Sequence, residues 1–130
     1  MSFDLATSIQ NYLTTGKVEG LPNALFMEGQ SVAAESRQMM PTWDPGTGRV
    51  FSEFASGQAE DVDHAVSSSQ KALKGEWSRF TPAQRGKLLR NVAELIRKNA
   101  HRLSFVEALD SGKRLDEAMG DVAGAANCFD

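Results

Sequence analysis

The sequence predicts an α+β fold in which short N-terminal strands are followed by amphipathic helices. Two observations carry this reading. Between about residues 24 and 54 the apolar residues fall in short runs broken by Gly and Pro, the texture of strands joined by tight turns. From residue 60 onward Val, Ala, Leu and Ile recur three and four positions apart, which places them on one side of successive helices. The composition, 41% hydrophobic and 24% charged, supports a packed globular chain and not a disordered one.

Leu5, Ile9, Tyr12 and Leu13 share helical spacing within residues 4–15, and Gly16, Gly20 and Pro22 then break the pattern. Ala24 to Met27 reads as a strand, Glu28-Gly29-Gln30 as a tight turn, and Ser31-Val32 as its return. Gln38 to Trp43 is a second extended segment. In Asp44-Pro45-Gly46-Thr47-Gly48, Pro fixes one φ, Gly relieves steric limits, and the Asp side chain can accept from the next backbone amides. Val50, Phe51 and Phe54 form the strand that follows.

Glu60, Asp61 and Asp63 put negative charge in a first helical turn, where it suits the helix dipole. Val62, Ala65, Val66, Ala72 and Leu73 form that helix's apolar side, and Gly75 ends it. Thr81-Pro82-Ala83-Gln84 is a start signal: a capping hydroxyl, Pro at the first helical position and Gln three residues after the cap. Leu88, Leu89, Val92, Leu95 and Ile96 repeat behind it. Leu103, Val106 and Leu109 continue as another helix, with Gly112 as its stop. Leu115, Ala118, Met119, Val122, Ala126 and Phe129 trace a last helical face to the penultimate residue without a stop signal, so the natural chain is expected to continue. Three or four helices are expected after the strands.

Several function classes are disfavoured. The net charge of −3 gives no electrostatic case for nucleic acid or an anionic membrane. No stretch approaches the roughly 18 apolar residues of a membrane span. Met1-Ser2-Phe3-Asp4 lacks the charge and apolar run of a secretory leader, and a cytoplasmic setting is expected. One cysteine, Cys128, rules out an intrachain disulfide and a Cys-rich zinc site.

The chemistry-bearing residues have structural readings. Cys128 is expected to be a small helical residue, since nothing beside it lowers a thiol pKa. Gly46-Thr47-Gly48 lacks the directly following helix and the Lys-Ser/Thr of a phosphate loop. Arg79, Arg85, Lys87, Arg90, Arg97, Lys98 and Arg102 read as a solvated helix face, because acidic residues flank them and aromatics do not interleave. His64 and His101 stand without metal-ligand spacing. Trp43 and Trp77 are expected to anchor packing.

The order and spacing of several segments resemble the opening of the aldehyde dehydrogenase superfamily. They are Asp44-Pro45-Gly46-Thr47-Gly48, Glu60 through Val66, Trp77-Ser78-Arg79, Pro82 through Leu89, Ala93-Glu94-Leu95-Ile96, Glu107 through Lys113, and Asp121-Val122-Ala123. The resemblance covers residues 24 to 129. Residues 1–22 are expected to be a variable extension with a short helix, and 23–130 the incomplete N-terminal part of a dehydrogenase domain. The chain departs from the family pattern at Asp44, often Asn, at Arg114, usually Pro, and at Gln58, commonly a better helix cap.

The resemblance implies the α/β aldehyde dehydrogenase fold, with a Rossmann-like cofactor domain in the full chain. It implies oxidation of an aldehyde to a carboxylic acid with NAD or NADP through a cysteine thiohemiacetal. The family's cysteine, glutamate and cofactor-binding glycine turn lie in later segments. No catalytic and no cofactor-binding residue is therefore expected here, and the chain alone is expected to be inactive. It also implies a structural monovalent cation, K+ or Na+, held by oxygens of Thr42, the Trp43 carbonyl and the Asp110 carboxylate, a donor set that suits a hard cation. Implied partners are the aldehyde, the rest of the polypeptide or a sister subunit, and further copies in a homo-oligomer, with no nucleic acid and no membrane. The rival reading is a non-enzymatic helical module that binds a protein partner. Apolar stripes this regular are expected to stay partly exposed within 130 residues.

Overall fold

A computed structural model describes residues 3–130. Met1 and Ser2, on which part of the leader expectation rests, lie outside the described residues. The elements run α1 (Leu5–Thr15), β1 (Leu25–Met27), β2 (Gln30–Val32), β3 (Met39–Asp44), β4 (Arg49–Ala55), α2 (Ala59–Lys74), α3 (Glu76–Arg79), α4 (Pro82–Lys98), α5 (Ala100–Ser111) and α6 (Leu115–Asn127).

The strands form two separate two-stranded sheets, β1 with β2 and β3 with β4. In the first, Leu25 faces Val32, Phe26 faces Ser31 and Met27 faces Gln30, antiparallel. Glu28 and Gly29, at φ 54° and 78°, make the connection. Two successive positive φ angles match the right-handed twist of a hairpin, so the turn expected at Glu28-Gly29 forms. In the second sheet the Gly48 amide donates to the Asp44 carbonyl at 2.7 Å, and Gly48 takes the left-handed φ of 67° that returns the chain into β4.

The chain divides into two compact units. The first comprises Met1–Val18, Trp43–Phe51 and Thr81–Asp130. In it α6 packs on both α4 and α5. Ala93, Ser104, Ala118 and Ala126 are all buried, and side chains this small let helix axes approach closely. Larger groups complete the core: Phe51, Phe105 and Tyr12. The Phe105 ring meets Tyr12 edge-on at 6.4 Å and Phe3 tilted at 6.3 Å, geometries that aromatic quadrupoles favour.

The second unit comprises Glu19–Thr42 and Ser52–Phe80. Its buried residues are Met27, Ala34, Ala55 and the carboxylate-bearing Asp61. The Trp77 ring of α3 meets Phe80 tilted at 5.7 Å.

The helix signals act where the sequence places them. Thr81 accepts from the Gln84 amide while the Gln84 side chain accepts from the Thr81 amide, and Pro82 opens α4. Gly112 closes α5 in the left-handed conformation. Gln58, a weak cap by composition, is compensated by Asp61, whose carboxylate accepts from the Gln58 amide at 2.8 Å and the Glu35 amide at 3.0 Å. Arg114 stands at the N-cap position of α6 at φ −66°, an angle that proline adopts naturally.

Four long helices follow the strands, as expected, together with the single turn α3, which the sequence reading did not separate. Asn99 marks the break between α4 and α5: its amide donates to the Leu95 and Ile96 carbonyls, and its carbonyl accepts from Leu103. Not every apolar residue on a predicted stripe is covered. Leu13, Val62, Val66, Leu73, Leu88, Leu95 and Met119 are exposed.

Candidate functional site

The residues implied as a cation site lie on β3 and at the end of α5. Thr42 is half-buried and Asp110 exposed. Trp43 is 52% exposed, so it is not the packing anchor expected from sequence. The alternation of a strand explains this: Asp44 turns inward, so its neighbour Trp43 turns outward. Trp77, half-buried against Phe80, does pack.

Within the first unit the chain just after Trp43 meets the chain just after Asp110. A Cβ added to Gly112 would stand 2.7 Å from Pro45 Cγ, so the glycine backbone lies directly against the proline ring. The close approach, together with a φ of 70°, makes glycine the residue this position accepts. It brings the turn carrying Trp43 and Asp44 to the C-terminal turn of α5, where Asp110 sits. Two oxygen donors implied for a cation, the Trp43 carbonyl and the Asp110 carboxylate, thus belong to segments in contact through Pro45 and Gly112.

Asp44 organises the turn. Its carboxylate accepts from the Gly46 amide at 2.7 Å, from the Thr47 hydroxyl at 2.9 Å and from the buried Tyr12 hydroxyl. The Tyr12 bond, with those from Thr47 and Gly46, holds the Asp44 carboxyl below the usual carboxylate range, against the opposing effect of burial. Burial, and then the adjoining Asp44, push the Tyr12 phenol up. The bond to Gly46 is the one the turn sequence predicts. The bond to Tyr12, 32 residues away, has no sequence signal beyond an Asp in a turn and a Tyr on a helix face.

The other candidates are surface groups. Cys128 is exposed at the C-cap of α6. His101 is exposed, and His64 lies 3.8 Å from Glu28 in an exposed pair that contributes little. Gly46-Thr47-Gly48 leads into β4 and not into a helix, as expected of a plain turn. Of the basic cluster, Arg97 donates to Asn127 at 2.9 Å and pairs with Asp130 at 2.5 Å, tying α4 to the end of α6. Lys113 lies between Asp121 at 2.7 Å and Glu107 at 2.8 Å, and these two carboxylates, Asp121 first, raise its pKa. Among the described residues no group of three His, Cys, Asp or Glu is placed to hold a metal ion. No helix among them is long and apolar enough to cross a membrane. In the second unit, Val62, Ala65, Val66, Ser69, Gln70 and Leu73 line a shallow groove along α2.

Residues 31–130 match the sequence model described as "Aldehyde dehydrogenase family". An aldehyde dehydrogenase from Aspergillus niger is 36% identical over 108 residues, which are 83% of this chain and 22% of that protein. Betaine aldehyde dehydrogenase from Bacillus subtilis is 34% identical over 110 residues, 84% of this chain and 22% of the relative. The crystal structure of a point mutant of betaine aldehyde dehydrogenase from Staphylococcus aureus, in complex with NAD+, superposes with a TM-score of 0.81 at 29% identity, covering 85% of this chain and 23% of the other. The chain therefore spans under a quarter of the length of these relatives.

Proposed function

Since this chain belongs to the aldehyde dehydrogenase family, and its α+β fold matches the N-terminal part of such enzymes, we propose that the whole protein oxidises an aldehyde to the carboxylic acid with NAD or NADP. The observation that carries this reading is the continuous family match over residues 31–130. The reaction is read as passing through a thiohemiacetal on a cysteine supplied by a later segment. A bound nicotinamide cofactor supplies the hydride acceptor. The residues of this chain take no chemical part in this reading, and Cys128 is an exposed residue at the C-cap of α6. Their work is to form a wall of the enzyme and to hold the β3–β4 turn against the end of α5.

The chain alone is inactive in this reading, and the complete enzyme is cytoplasmic and homo-oligomeric. Spectrophotometric assay at the NAD(P)H absorption band tests it, with aliphatic, aromatic and amino aldehydes and both cofactors. Turnover by a chain extended along its reading frame is expected. Aldehyde-dependent reduction by residues 1–130 alone would overturn the division of labour.

Thr42, the Trp43 carbonyl and the Asp110 carboxylate are proposed to hold K+ or Na+ by oxygen coordination. The contact of Pro45 with Gly112 supports this. Melting in KCl against tetramethylammonium chloride at equal ionic strength provides the test. A potassium-specific rise that Asp110→Asn removes is expected, and equal melting in both salts rejects the site.

A further inference from the structure

Residues 1–22 read from sequence as an extension, yet α1 carries one of the buried aromatic side chains of the first unit. Tyr12 is 8% exposed. Its ring stands edge-on to Phe105, and its hydroxyl donates to Asp44. Both ends of the helix are defined: Asp4 accepts from the Ala6 amide at 3.2 Å at its start, and Gly16 takes the left-handed conformation at its end. Beyond it the Val18 amide donates to the Phe51 carbonyl at 3.2 Å. The segment is thus fastened at three places: Phe3 and Tyr12 against Phe105, Tyr12 on Asp44, and Val18 on Phe51.

We propose that α1 is a strap that fixes the Asp44–Gly48 turn against the C-terminal end of α5, with Tyr12 as the positioning residue. Asp44 is the hub. One carboxylate gathers two donors from within the turn, Gly46 and Thr47, and a third from a helix 32 residues earlier in the chain. The same turn presents Pro45 to the bare backbone of Gly112, where there is no side chain to grip it. The Pro45–Gly112 contact is apolar, and the Tyr12 bond to the residue before the proline adds a polar tether from another element. Tyr12 is that tether. It acts on the turn through Asp44, independently of any ion.

Site-resolved amide hydrogen exchange on the 130-residue chain tests the strap. Tyr12→Phe keeps the ring and removes the donor. It is expected to speed exchange at Gly46, Thr47 and Gly48 by about tenfold, the effect of losing one hydrogen bond of ordinary net worth. The amides of α1 loosen with them, while those of α4 and α6 keep their protection. Thr47→Val, which removes another donor from the same Asp44 oxygen, is expected to loosen the turn as well. Unaltered turn amides in Tyr12→Phe would overturn the proposal. So would an equal loss of protection across α4, α5 and α6, because Tyr12 would then be a general core contact without a positioning role.

Discussion

The two units solve the same problem, ordering a short stretch of chain, by different means. The first is organised by packing. Phe105, Phe51 and Tyr12 bury large apolar surfaces, and small residues let α6 lie close on α4 and α5. The second is organised by turns and a cap. Its hairpin closes through Glu28-Gly29, and Asp61 ties the Glu35 loop to the start of α2. The long helix of that unit leaves Val62 58%, Val66 50% and Leu73 63% exposed. A helix with a regular apolar stripe is therefore no evidence that the stripe is buried. What it packs on must come from elsewhere.

The largest effects that sharpen this contrast are truncations of matched apolar groups. Phe105→Ala is expected to destabilise the chain by about 3–5 kcal/mol, the usual cost of a cavity left by a buried aromatic. Val66→Ala is expected to change stability by less than about 0.5 kcal/mol, because its side chain already faces solvent. Urea midpoints compare the two. Val66→Lys with Leu73→Lys should lower binding of an apolar-surface dye without shifting the midpoint, and unchanged dye binding would mean that the dye reports on another surface than the α2 stripe.

Glycines separate close packing from backbone strain. Gly16 and Gly112 share the left-handed conformation, but among the described residues Gly112 has a neighbour within reach of a Cβ and Gly16 has none. Gly16→Ala should cost about 1 kcal/mol for the conformation alone. Gly112→Ala should cost more, on the order of 2–3 kcal/mol, because Pro45 must also move. Equal costs would mean that the Pro45 contact gives way freely.

Acid acts on both units through their aspartates. Asp44 is held below its ordinary pKa chiefly by Tyr12, and Asp61 chiefly by the Gln58 amide. A carboxyl whose folded pKa is depressed binds protons more readily when unfolded. Its contribution is fully present above the unfolded pKa of about 3.9 and is lost as pH falls through the folded value. Stability is therefore expected to be flat, as far as these groups are concerned, from pH 7 to 5 and to fall below about pH 4. The penalty of Asp61→Asn should shrink over the same range. A penalty independent of pH would show that the charge of Asp61 does not matter.

The smallest effect concerns Ser104, fully buried in α5 with a hydroxyl that has no hydrogen-bond partner among the described residues. Ser104→Ala removes an unpaired polar group from the packed unit and is expected to stabilise by up to about 1 kcal/mol. A destabilisation of that size would mean that the hydroxyl is satisfied in solution.

The local elements were legible because their causes are local. Thr81-Pro82 starts a helix, Gly75 and Gly112 stop helices, and Glu28-Gly29 and Asp44 through Gly48 turn the chain, each through its own backbone preferences. The exposure of Trp43 is not legible, because residue type alone does not say which side of a strand a side chain takes. The family, too, was written in the sequence, in motifs ordered from Asp44 to Ala123. Tertiary structure alone decided that Tyr12 bonds Asp44, that Gly112 rests on Pro45, that Ser104 is sealed in, and which apolar residues stay in water. Each depends on which segments meet in space, and periodicity gives a helix its apolar side without naming the surface opposite it.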